Sequence, residues 1–125
     1  MILGLGIDIV EVSRLEKWLN DKKLLERFFN KEELEYVFSK GDGAARSLAV
    51  RFTAKEAFGK ALGTGLAGIE LKDIAVVNDK TGRHFLKLSG TALQALKEKG
   101  GVDIHLSLTH EKTTAAAVVI IEGSS

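Results

Sequence analysis

The chain has 125 residues, of which 45% are hydrophobic and 28% charged, and its 18 basic and 17 acidic side chains leave a formal net charge of +1. That length predicts a single domain over residues 1–125 with one modest core, and the apolar content excludes a disordered chain. No cysteine is present, which excludes a disulfide framework, a thiolate metal site and a cysteine nucleophile, so any metal must be held by oxygen or imidazole.

The opening segment alternates about a strand axis. Leu3, Leu5, Ile7 and Ile9 share one face, and Gly4, Gly6, Asp8 and Val10 the other, so Asp8 projects from a face that two glycines leave bare. The segment is apolar but holds Asp8, lacks a basic lead and runs into Glu11. This predicts neither a signal peptide nor a membrane span, and hence a cytoplasmic protein. Ser13 with Glu16 has capping-box spacing and predicts a helix carrying Leu15, Trp18 and Leu19. Asn30 with Glu33 repeats the pattern ahead of Leu34, Val37 and Phe38, with Gly41 as a stop. Between Arg14 and Lys31 six basic residues stand against three acidic ones, which suits either a solvated helical face or a surface for an acidic protein. A longer helix is predicted from Ala45 to Leu62, ending at Gly63 in the run GTGLAG. Leu71–Asn78 and His84–Leu88 then read as strands around the turn DKTG, Ser89–Lys99 as a short helix, and Ile104–His110 with Ala115–Ile121 as a hairpin. This order predicts an α+β fold with a mainly antiparallel sheet.

The long helix carries the polar residues of most interest. Lys55 falls at the centre of an apolar arc formed by Leu48, Phe52, Phe58 and Leu62, and Arg51 lies inside it. A cation placed there must pair with an internal carboxylate, reach solvent along its stem, or bind phosphate. Glu56 and Lys60 have the spacing of a surface ion pair. Together with Asp8 they also make another set: two carboxylates for Mg²⁺, which keeps waters and substrate phosphates as its remaining ligands, and a cation for pyrophosphate.

Three segments carry a resemblance. GIDIVEVSRLE (6–16), RFTAKEAFGKALGTG (51–65) and LSLTHEKTTAAAVV (106–119) resemble, in order and separation, the motifs of the holo-acyl-carrier-protein synthase group of 4′-phosphopantetheinyl transferases. The resemblance implies that Asp8 and Glu56 bind Mg²⁺ and that Lys60 and Arg51 contact the phosphates of coenzyme A. It places Gly63, Thr64 and Gly65 against the nucleotide, and His110 near the pyrophosphate and the attacking serine. It further implies an apo acyl carrier protein as partner and a homotrimer with interfacial active sites, without nucleic acid or membrane. Arg14, Lys17 and Arg27 are the expected contacts to an acidic carrier. Two departures stand out: His84 follows Arg83 where short members often carry proline, and the loop KGDGAAR offers only Lys40 and Arg46, so no residue is assigned to the 3′-phosphate. A metal-dependent nuclease would need more carboxylates and a broader basic surface than a charge of +1 provides. A coenzyme A-binding module without catalysis is the non-enzymatic alternative. Transferases serving polyketide or peptide synthetases are typically chains of double length.

Overall fold

Two glycines decide how the sheet meets the long helix. In the computed structural model, which describes all residues Met1–Ser125, strand β1 (Ile2–Glu11) runs antiparallel to β5 (Thr114–Gly123), and β5 pairs on its other edge with β4 (Gly101–His110). The long helix α4 (Ala44–Leu62) lies across the β1 and β5 face of this sheet. A Cβ on Gly4 would sit 1.8 Å from the Ala61 carbonyl oxygen, and one on Gly6 would sit 2.0 Å from that of Ala57. Backbone therefore packs on backbone. Two residues of strand advance about 6.6 Å and four of helix about 6 Å, so Gly4 meets Ala61, Gly6 meets Ala57 and the next rung pairs Asp8 with Thr53.

The predicted elements appear with particular changes. Ser13 does not cap: β1 extends to Glu11, the Val12 amide donates to the Thr113 carbonyl (2.8 Å), and α1 (Val12–Glu16) starts directly from the strand. The basic stretch is broken into α1, a 3₁₀ turn (Lys17–Asn20) and α2 (Lys22–Phe28), the last capped by Asp21, whose carboxylate accepts from the Leu24 amide at 3.2 Å. The capping box of α3 (Lys31–Phe38) forms in both directions, with Glu33 N donating to Asn30 Oδ1 (2.9 Å) and Asn30 N to Glu33 Oε1 (3.2 Å). Residues Leu71–Asp73 turn as a 3₁₀ segment ahead of β2 (Ile74–Asn78), which forms a separate antiparallel ribbon with β3 (His84–Leu88). Helix α5 (Gly90–Lys99) closes at Gly100, whose φ of 85° needs glycine.

Helix α4 is central rather than half-exposed. Fifteen of its 19 residues are buried, so the apolar arc read from the sequence covers only part of what it buries. Its first half packs with Leu15, Leu25, Phe29 and Val37 of α1 to α3. Its second half packs with Ile74, Val76, Ala92 and the inner β5 residues Ala117, Val119 and Ile121.

Lys55 pairs with an internal carboxylate. Its ammonium is fully buried and donates to Glu33 Oε1 (2.8 Å), to the Leu71 carbonyl (2.9 Å) and to the Ile74 carbonyl, which uses all three protons. Glu33 Oε2 accepts from the Val76 amide at 3.1 Å, so one ion pair ties α3, α4 and β2 together. Removing one partner strands the other charge in the core. Lys55→Met should therefore lower the unfolding free energy by about 3–5 kcal/mol, read from urea melts; a loss below about 1 kcal/mol would contradict this bracing role.

Candidate active site

The Asp8 carboxylate is held from both sides. Its Oδ2 accepts from the Thr53 hydroxyl at 2.6 Å, and its Oδ1 accepts from Lys60 Nζ at 3.0 Å. The Asp8 side chain is 16% exposed and that of Lys60 is 55% exposed, so the lysine meets solvent while the acid sits in the β1 and α4 seam. Lys60 thus pairs with Asp8 and not, as spacing allowed, with Glu56 on its own helix. Glu56 lies about 60° around α4 from Thr53 and is half-buried beside Asp8. Burial first, and then the negative charge of Asp8, push the Glu56 carboxyl above its ordinary pKa, while Lys60 and Arg14 pull the other way. Two partly desolvated carboxylates, the charge of one felt at the other, form a hard oxygen donor set that a divalent cation would relieve. Their chemistry fits Mg²⁺.

Arg51 and His110 lie elsewhere in the chain. Arg51 is about 160° around α4 from Thr53, and with His110 it lines a cavity of about 520 Å³ to which Asp8, Glu56 and Lys60 do not contribute. The Arg51 guanidinium donates to the Ser47 carbonyl (3.1 Å) and hydroxyl (2.9 Å) and lies 4.4 Å from the centre of the Tyr36 ring. Its Nε is buried with no partner. Lys40, Arg46 and His84 line the same cavity, and Lys40 Nζ sits 4.5 Å from the Tyr36 ring centre. Burial and then the Arg51 charge push the His84 imidazole below its ordinary pKa. A cavity lined by Lys40, Arg46 and Arg51 is suited to phosphate. Lys40, Arg46 and His84 meet only because the 3₁₀ turn Gly41–Gly43 and β3 both fold toward α4. Ser107 pairs in register with Val118 on the exposed sheet face, away from this cavity.

Residues 4–119 match the model of the 4′-phosphopantetheinyl transferase superfamily. The chain is 92% identical over 123 residues to a holo-[acyl-carrier-protein] synthase of Treponema denticola, covering 98% of this chain and 100% of that protein. It belongs to the holo-acyl-carrier-protein synthase family. The synthase of Neisseria meningitidis superposes with a TM-score of 0.87 at 32% identity, covering 98% of this chain and 99% of that one. The Bacillus anthracis synthase, solved in complex with CoA (3′,5′-ADP), gives a TM-score of 0.82 at 38% identity with 99% of each chain covered.

Within this synthase fold, the glycine turn after α4 begins one helical turn beyond Lys60. Gly63 (φ 84°) and Gly65 (φ 70°) both take left-handed conformations, and the Gly65 amide donates to the Gly59 carbonyl at 3.1 Å, leaving Thr64 exposed at the tip. Thr64 is thus presented on the Lys60 end of the helix. Arg14 stands over the Phe52 ring (5.3 Å) and Arg27 over Phe28 (5.7 Å), while Trp18 contacts both rings at 5.0 and 5.7 Å. Lys17 is exposed on the intervening turn. The charge of Arg14 is felt at Glu56, so the basic surface adjoins the carboxylate pair.

Proposed function

We propose that this chain, as one phosphopantetheinyl transferase domain over residues 1–125, moves 4′-phosphopantetheine from coenzyme A to a serine of apo acyl carrier protein. Adenosine 3′,5′-bisphosphate is released, and the reaction serves fatty acid biosynthesis in the cytoplasm. The observation that carries this reading is the Asp8 and Glu56 pair beside the exposed Lys60, in a chain 92% identical to a holo-[acyl-carrier-protein] synthase.

Asp8 and Glu56 would hold Mg²⁺, which when bound screens the phosphoryl oxygens and fixes the pyrophosphate for in-line displacement. Lys60 is long and mobile enough to leave Asp8 for a phosphate oxygen. The serine oxygen bonds to the β-phosphorus as the bond from that phosphorus to the bridging oxygen breaks. The bridging oxygen departs with the electron pair on the nucleotide, and the serine proton passes to a base for which the site offers Glu56 and His110. No covalent enzyme intermediate is needed. Arg51 binds phosphate of coenzyme A together with Lys40 and Arg46, and the Gly63–Gly65 turn receives part of the nucleotide.

A single protomer keeps Arg51 and His110 apart from Asp8 and Glu56, and a second observation supports their meeting between subunits. Leu5, Ile7 and Ile9 are 65%, 64% and 68% exposed, and in register with them Ala116, Val118 and Ile120 extend an apolar face that no element of the chain covers. Copies of the chain packed on this face form the proposed homotrimer, with a site at each interface. No helix of the chain is long and apolar enough to cross a membrane.

Incubation with coenzyme A, Mg²⁺ and apo carrier should make the carrier heavier by about 340 Da, the mass of the group that phosphoryl chemistry transfers whole. Asp8→Ala and Glu56→Ala should each abolish this gain with circular dichroism unchanged; two folded, active variants would exclude the carboxylate pair as the centre of the reaction. The basic surface carries the acidic carrier, so Arg14→Glu should raise KM for carrier far more than KM for coenzyme A, and salt should weaken wild-type carrier binding in the same direction. Ile7→Asp puts a charge into the apolar face and should yield a folded monomer by sedimentation, with transfer lost; an active monomer would overturn the interfacial site.

A further inference from the structure

We propose that Thr53 is a positioning residue that presents Asp8 to the divalent cation, an inference that rests on the metal role assigned to Asp8 above. Of the three rungs along the β1 and α4 seam, two are occupied by glycine against alanine, and only the third carries polar side chains. Thr53 is fully buried there, where a hydroxyl without a partner would be costly. A threonine within a helix can return its proton to the carbonyl one turn back, yet Thr53 Oγ1 donates to Asp8 Oδ2 at 2.6 Å. The acceptor is a carboxylate, which makes this a short charge-assisted bond.

The two contacts of Asp8 differ in kind. Lys60 is more than half exposed and ends a flexible stem, so its bond to Oδ1 does not fix the carboxylate plane. Thr53 is locked by helix backbone and close packing, so its bond does. By engaging Oδ2, Thr53 leaves Oδ1 as the oxygen directed to the open side shared with Lys60. A metal-binding carboxylate whose rotation is already stopped loses less freedom on binding. Outer-shell hydrogen bonds of this type typically change metal affinity about 10- to 100-fold.

The test uses Mn²⁺ as the probe, with free ion counted by electron paramagnetic resonance on the full chain without coenzyme A. Thr53→Val keeps the volume and removes the hydroxyl. It should weaken Mn²⁺ binding by roughly tenfold. It should also lower kcat while KM for carrier stays at the wild-type value, and Thr53→Ser should restore both affinity and kcat. Should Thr53→Val fail to give a cooperative urea transition, Thr53→Ala takes its place in the same comparison. Asp8→Ala separates the two claims. If Asp8→Ala loses Mn²⁺ and the folded Thr53 variant binds it as wild type does, or if Thr53→Ser fails to restore what the loss of the hydroxyl removed, Thr53 has no such role. If Asp8→Ala itself binds Mn²⁺ as wild type does, the metal assignment falls and this inference falls with it.

Discussion

The approach of helix α4 to strand β1 governs the rest of the molecule. Helix and strand normally keep about 10 Å between axes because side chains fill the space. Gly4 and Gly6 remove those side chains, and the carbonyl oxygens of Ala57 and Ala61 move into the volume a Cβ would occupy. The same contact fixes register, since two strand residues and four helix residues cover nearly equal lengths. Asp8 is the first position past the glycines that bears a functional group, so it meets Thr53 and Lys60 by consequence of the packing. The carboxylate pair is a property of the seam, and the outward apolar face is its complement. Because the seam takes up the glycine side of β1, Leu5, Ile7 and Ile9 are left to the other side.

Buried charge makes the second framework. Lys55 and Arg51 were both read as cations in an apolar arc, and the core treats them differently. Lys55 is satisfied completely by Glu33 and two carbonyls, whereas Arg51 lines the cavity and has a buried Nε without a partner. Lys55 could not be sorted by its neighbours in sequence, because Glu33 is 22 residues away and the Leu71 and Ile74 carbonyls are 16 and 19 away.

What could be read from the sequence follows from how local each signal is. The Asn30 and Glu33 capping box, the Gly63 stop and the final hairpin depend on residues within a few positions of one another, and all appear as expected. Ser13 with Glu16 has the same local pattern but fails, since a bond from Val12 to Thr113, about a hundred residues away, sets the helix start. Asp8, Glu56 and Lys60 were assigned through motif resemblance, and the fold brings them together. Spacing alone favoured pairing Lys60 with Glu56. Lys40 and Arg46 stand together in the loop KGDGAAR, but their meeting with His84 left no local trace, because β3 is distant in the chain.

Helix α4 carries its carboxylate side and its guanidinium side on nearly opposite faces. In an assembly built on the exposed sheet face, each complete site draws one side from one subunit and the other side from its neighbour. Lesions in the two halves are then genetically separable. In the trimer proposed above, a subunit crippled at Asp8 and another crippled at Arg51 would each be inert alone, yet co-assembled they would contain some interfaces where both intact halves meet, so mixed trimers would regain a fraction of the turnover that neither parent possesses.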